Sequence, residues 1–306
     1  MSTMTQKTKA LLDLLRLHFF FVWPTLFSAG LFVGFYFNGG FSPLLILQAV
    51  LIGFLGFEGG LVLNDVVDAD IDRKELAQDK GLTKYWRPFG QRPISGGLIS
   101  RRHATVVFAV LAVSASVVIA TLPYPHSLYV FTLLAVCYCL EVFYQFKKRN
   151  EKIPVAQVVG RVDFALFLVA GYLCVGNPDL NALLLFLFFY PLALAHLGVN
   201  DLIDVGNDQA RGMNTPTTLY GVKNTVYWVA AFSVAHVVLA LVFLSRIWSL
   251  AAALGFAVGL ILIVVGNVKI LKGKTPQIAL KALPMFHLAM LIYAITIIAN
   301  CFLTAL

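Results

Sequence analysis

Residues 64–72 read NDVVDADID, and residues 200–208 read NDLIDVGND. Both fit N-D-x-x-D-x-x-x-D, which aligns Asn64, Asp65, Asp68 and Asp72 with Asn200, Asp201, Asp204 and Asp208. Each stretch closes a long apolar run and opens a basic loop. At about 100° per helical residue, the four positions of either set fall within an arc of roughly 100°, and Asp70 falls outside it.

Acids gathered on one helical face repel each other. They also sit at the wrong end of a helix, because a C-terminus carries partial negative charge. A cationic partner resolves both problems. Carboxylate oxygens suit Mg²⁺, which takes few protein carboxylates and completes its shell with water and substrate phosphates. The repeat therefore predicts two acid clusters sharing metal ions around one diphosphate. The plainer alternative, two solvated helix ends, does not account for four repeated, equally spaced identities.

Outward from the motifs, the chain of 306 residues is 59% hydrophobic and 12% charged, with apolar runs near the length needed to cross a bilayer. This is the composition of an all-α polytopic membrane protein with one domain over 1–306. Nine spans are expected, at 18–37, 44–66, 103–122, 126–146, 153–175, 181–203, 222–244, 248–268 and 282–304. Residues 5–17 read as an amphipathic lead-in at the interface, with Lys7, Lys9 and Arg16 against Leu11, Leu12, Leu14 and Leu15. Met1 to Arg16 shows no cleavable signal. The four cysteines, Cys137, Cys139, Cys174 and Cys301, lie in apolar runs without zinc spacing and read as packing residues.

Of the 23 Lys and Arg residues, 21 fall in one set of loops; Arg246 stands opposite them and Arg161 lies within a span. The positive-inside rule then puts the N-terminus and both acid motifs in the cytoplasm and the C-terminus outside. Topology and anionic headgroups account for the net charge of +8, so no nucleic-acid partner is implied. The long loops at about 67–102 and 204–221 follow the motifs directly and are expected to cap a cavity.

At this point the chain resembles the UbiA superfamily of intramembrane prenyltransferases, and the resemblance spans nearly all of it. The two acid motifs after spans two and six carry it. Smaller matches agree: the stretch QRPISGGLIS at 91–100, Tyr144-x-x-x-Lys148 at the end of span four, Pro154 and Gln157, and the run from Asp208 through Gly212 to Gly221. The resemblance implies a helical bundle around a central cavity that opens to lipid and is capped by cytosolic loops. It implies a prenyl diphosphate donor, Mg²⁺ (or Mn²⁺) and a lipophilic acceptor in the membrane. The acceptor stays open between an aromatic quinone or haem precursor and a glycerol-phosphate ether, because the acid-rich second motif and Gln91 depart from common family forms.

Within this frame, Asp68, Asp72, Asp204 and Asp208 are the expected metal ligands, and Asp65 and Asp201 are alternatives or supports for them. Asn64 and Asn200 do not titrate and suit hydrogen bonds to diphosphate. Lys148 and Tyr144 are assigned to the diphosphate by analogy, with Lys147 and Arg149 turned about 100° to either side of Lys148. Arg92 and Lys84 are further candidates for phosphate oxygens. Glu58 lies seven residues before Asp65, on nearly the same face, and is expected to line the cavity and meet the acceptor. Arg161 and Asp163 read as an ion pair between helices or as catalytic groups, and Glu141 as a partner of Tyr144. His18, His196, His236 and His287 read as packing residues. Two other readings compete. A cation transporter would carry its acids near the midplane of the spans, and a CDP-alcohol phosphotransferase would show D-G-x-x-A-R, which neither motif does.

Overall fold

The computed structural model describes residues 4–305, and their regular structure is helical throughout. The helices are α1 (Met4–Leu14), α2 (Val22–Asn38), α3 (Pro43–Asp68), α4 (Gly81–Trp86), α5 (Arg101–Ala120) and α6 (His126–Lys147). They continue as α7 (Val162–Tyr172), α8 (Leu180–Ile203), α9 (Val205–Arg211), α10 (Pro216–Arg246), α11 (Leu250–Gly273) and α12 (Pro276–Ala305). Eight of the described helices are long and apolar enough to cross a membrane. Their starts are written locally: Ser42, Ser100, Asp179 and Ser249 each accept a hydrogen bond from the backbone N–H three residues on.

The expected fifth span, 153–175, is where the structure departs from nine continuous helices. It is broken into a π turn at Ala156–Gly160 and the short α7, with Arg161 at φ −88° and ψ 11° between them. Gln157, Gly160 and Arg161 interrupt the apolar run at this break. Irregular backbone at membrane depth is tolerated where protein buries it or a cavity lies beside it, and Arg161 lines a cavity. The short α7 is held by close backbone packing against α2. A Cβ on Gly30 would stand 2.0 Å from the Leu168 carbonyl oxygen, and one on Gly171 would stand 1.9 Å from that of Phe27. Small residues let two apolar helices approach where lipid offers no hydrophobic drive.

The acid motifs end α3 and α8, and in both the helix stops inside the motif. α3 closes at Asp68, and Asp72 begins a separate 3₁₀ turn. α8 closes at Ile203, Asp204 breaks the helix, and α9 carries Asp208. The lead-in α1 is tied to the first long loop. Asp13, fully buried, accepts from the backbone N–H groups of Phe89 at 2.8 Å and Gln91 at 3.0 Å. That loop and α4 lie over the cavity mouth, since Leu82, Thr83, Trp86, Arg87 and Arg92 all line it.

Candidate active site

Both motifs arrive at one place. Asp68 accepts from Lys148 Nζ at 2.8 Å and from Arg149 Nη2 at 2.9 Å. Asp72 accepts from Arg92 Nη1 at 2.8 Å, and Asp204 accepts from Arg211 Nη1 at 3.0 Å. Arg211 spans the gap between the motifs, with Nε 3.6 Å from Asp72 and Nη1 3.9 Å from Asp208. Glu75 joins from the first loop, 3.3 Å from Arg92 and 3.8 Å from Arg211, and accepts from Thr83. Thr215 Oγ1 donates to Asp208 at 3.0 Å.

Asp65 turns away from this cluster. It pairs with Arg87 at 2.8 Å and Arg16 at 3.0 Å, which pins the first loop and the lead-in to α3. Asp201 is buried with no partner for Oδ2. Asp70 is exposed and meets Arg73 and Arg101 at the surface, in keeping with its place off the shared face.

Burial raises carboxylate pKa values and neighbouring cations lower them. Burial pushes Asp72 up, but Arg92, Arg211, Lys148 and Arg87 outweigh it and hold Asp72 below its ordinary value. Burial wins at Asp204, which is raised despite Arg211 and Arg92. Burial, with the nearby Asp204, pushes Asp208 up to about 7 against the pull of Arg211 and Lys148.

Beside the acids lies a cavity of about 210 Å³. Arg16, Asn64, Arg92 and Asn200 line it, as do Trp23, Phe57, Phe164 and Phe167. Trp23 stacks on Phe57 at 3.5 Å between ring centroids, and Phe164 stands edge-on to both. A buried charge network forms another part of the wall. Arg161 donates to Glu141 at 2.5 Å and lies 3.5 Å from Asp163, and Asn64 donates to Glu141 at 2.7 Å. The Arg161 guanidinium sits 3.4 Å from the centroid of the Tyr144 ring, and Lys148 Nζ sits 4.7 Å from it. Tyr144 is thus a bracket for two cations. His196 pairs with His287 at 2.6 Å, and His287 pairs with Tyr85 of α4 at 2.7 Å. His236 meets the Phe188 carbonyl and Tyr293 as a packing residue.

Three sequence expectations need correction. Glu58 is buried, has no hydrogen-bond partner for either oxygen and is not on the cavity wall. Its seven-residue offset places it with Asp65, and Asp65 itself faces Arg16 and Arg87. Lys84 is exposed on α4 and pairs with none of the acids among the described residues. Arg149, expected beside Lys148 as an inert control, shares Asp68 with it. Here α6 ends at Lys147, so the helical phase stops applying at the residue where it was used. Arg16, Glu75, Arg87 and Arg211 are the site residues that the sequence did not single out. Their only signal was position in the lead-in or in the loops that follow the motifs.

The donor set for a metal is chemically apt. Four buried carboxylates, Asp68, Asp72, Asp204 and Asp208, supply hard oxygens, and Arg211 lies within ion-pair distance of three of them. Among the described residues no three acid, His or Cys side chains already converge at coordinating distance. A metal here would take carboxylates singly or in pairs, with phosphate oxygens completing its shell, which is the habit of Mg²⁺.

Comparison with known proteins agrees with this arrangement. The model of the UbiA prenyltransferase family matches residues 21–291. A 4-hydroxybenzoate octaprenyltransferase of Polynucleobacter asymbioticus is 28% identical over 229 residues, covering 74% of this chain and 70% of that protein. A digeranylgeranylglyceryl phosphate synthase of Sulfolobus acidocaldarius is 27% identical over 192 residues, 62% of each chain. The solved structure of a UbiA homolog from Archaeoglobus fulgidus, bound to DMAPP and Mg²⁺, superposes with a TM-score of 0.65. That match has 15% identity and covers 94% of this chain and 98% of the other.

Proposed function

This chain belongs to the UbiA prenyltransferase family, and from that premise we propose that the site formed by its acid motifs and the aromatic cavity beside them transfers an isoprenyl group from a prenyl diphosphate to a lipophilic acceptor. The observation that carries the reading is the meeting of both acid motifs, Lys148, Arg92 and Arg211 beside an aromatic cavity. Asp68, Asp72, Asp204 and Asp208 are the residues that would hold Mg²⁺, with Mn²⁺ as a substitute. The bound metal would neutralise the diphosphate and make it a better leaving group.

The chain's own groups do the rest. Lys148, with Arg149 beside it, brings positive charge to phosphate oxygens where Asp68 holds it. Arg92 does the same from the first loop. Asn200, which lines the cavity, can donate from its amide nitrogen to phosphate oxygens, whereas the Asn64 amide already donates to Glu141. Developing positive charge on the allylic carbon meets the faces of Trp23, Phe57, Phe164 and Phe167. Tyr144 acts through Lys148 and Arg161 rather than on the carbon, since cations lie against its ring.

The bias of Lys and Arg towards one set of loops supports a site at the cytoplasmic face, with the C-terminus outside and membrane lipid around the bundle. Relatives with different acceptors match about equally well, so the acceptor class is decided by experiment. Purified protein is incubated with geranyl diphosphate and either 4-hydroxybenzoate or a glycerol-phosphate monoether, and lipid extracts are read by mass spectrometry. The expected result is a prenylated product and released diphosphate with Mg²⁺, both abolished by EDTA. Full turnover in excess EDTA would sink the metal–diphosphate reading.

A further inference from the structure

Arg211 is unlike the other cations of the site. Its side chain is 6% exposed and reaches acids of both motifs: Asp72, Asp204 and Asp208, with Glu75 beside them. Only Nη1 makes a hydrogen bond, to Asp204 at 3.0 Å. Nε and Nη2 have no hydrogen-bond partner, and no other described Arg leaves two buried nitrogens so. A buried guanidinium kept for structure alone is normally saturated by a carboxylate that grips two nitrogens at once. Here the acids surround Arg211 at ion-pair distance without gripping it. Two nitrogens, carrying three N–H groups, therefore remain without a hydrogen bond among the acids of both motifs.

The charge count points the same way. Arg92, Lys148, Arg149 and Arg211 stand among Asp68, Asp72, Glu75, Asp204 and Asp208, one acid more than the cations. A divalent ion entering alone must share carboxylates with Arg211, against repulsion from its charge. An ion entering with diphosphate brings acceptor oxygens that suit the two idle nitrogens.

We infer that Arg211 is a diphosphate-binding residue that couples the anion to the metal, weakening metal binding on its own and strengthening it when diphosphate is present. The inference rests on the prenyl-diphosphate reading of the site, and it names a specific task within it. Nη1 stays on Asp204 while Nε and Nη2 donate to phosphate oxygens. Asp72 and Asp208 would then be the acids available to hold the metal.

The test uses full-length protein with Mn²⁺ alone, read by electron paramagnetic resonance. Inorganic diphosphate in saturating Mn²⁺ is read in parallel by calorimetry. Arg211→Gln should bind Mn²⁺ alone at least about tenfold more tightly, because a neighbouring positive charge has gone. It should bind diphosphate at least about tenfold more weakly, the scale of losing a hydrogen bond to a charged group. Arg211→Lys keeps the charge and loses the fork, so metal-only affinity should stay at the wild-type level while diphosphate binding falls. Effects of opposite sign are what a purely structural ion pair would not produce. Weaker or unchanged Mn²⁺ binding in Arg211→Gln would overturn the inference, as would unchanged diphosphate binding. If thermal melting shows Arg211→Gln to be unfolded, Arg211→Lys decides alone, and wild-type diphosphate affinity in it overturns the inference. Neither probe carries an isoprenyl group, so failure of prenyl transfer and failure of this coupling are read separately.

Discussion

Asp65, Asp68 and Asp72 each have a cation at 2.8 Å, from Arg87, Lys148 and Arg92 respectively. Those cations come from the first long loop and from the end of α6. Asp204 and Asp208 pair with Arg211 alone among the described residues, and Asp201 pairs with no cation. One spacing thus gives two electrostatic states. Asp72 is held below its ordinary pKa, whereas burial and Asp204 push Asp208 up to about 7. The first motif is an anchor for the loops that cap the cavity, and it carries acids already compensated by the chain. The second retains acid character that the protein itself leaves poorly matched, and a divalent cation is what would match it.

The strongest way to break this comparison is to remove one acid from each motif. Asp68→Ala and Asp204→Ala should each lower diphosphate release at least about a hundredfold, the scale of losing one electrostatic stabiliser in an active site. If only one of them does so, the motifs do not serve one site. Next in size are the two cations on Asp68. Lys148→Ala and Arg149→Ala should each weaken a non-hydrolysable donor analogue by about tenfold, as loss of a charged hydrogen bond implies. Lys147→Ala, on the last turn of α6 and away from Asp68, should change little. Equal affinity in all three variants would return Lys148 to the role of a topology-setting lysine.

The contrast in pKa predicts a smaller, pH-dependent effect. A carboxyl whose folded pKa is raised favours the folded state while protonated and loses that contribution as pH rises from its ordinary value to the folded value. Without metal, the contribution of Asp208 to stability should therefore be lost on going from about pH 4 to about pH 7 and change little above that. Metal binding requires the ionised form, so the melting-temperature increase produced by Mg²⁺ should grow over the same window. Asp208→Asn should flatten that growth, and an increase that shrinks with pH would contradict the assignment of Asp208. Smallest of all, Asp70→Ala and Lys84→Ala should leave activity within about twofold, since the exposed pairs of Asp70 contribute little and Lys84 is exposed without an acid partner among the described residues.

How much of this was legible in the sequence depends on the kind of signal. Apolar run length found the long helices, because bilayer thickness imposes it directly. It missed the break at Ala156–Gly160, since run length registers apolar residues and Gln157 and Arg161 are too few to shorten the run. The acids were legible because they repeat. Their partners were not. Arg87, Arg149 and Arg211 look, in sequence, like any other members of a basic loop, and the folding of those loops alone decides which acid each one meets. Helical phase was a good guide up to Asp68 and failed at Arg149, one residue beyond the Lys148 cap of α6. Glu58 shows the same limit: a correct face assignment led to Asp65, and Asp65 faces the lead-in rather than the cavity.

Whether the two motifs make one site is decided by a double-mutant comparison. Diphosphate release from geranyl diphosphate is measured for the wild type, Asp68→Ala, Asp204→Ala and the double variant. Residues that act as a unit are strongly non-additive, because the second loss removes little that remains. The double variant should lie within about threefold of the worse single variant. A double variant in which the two losses multiply would show that the motifs act independently.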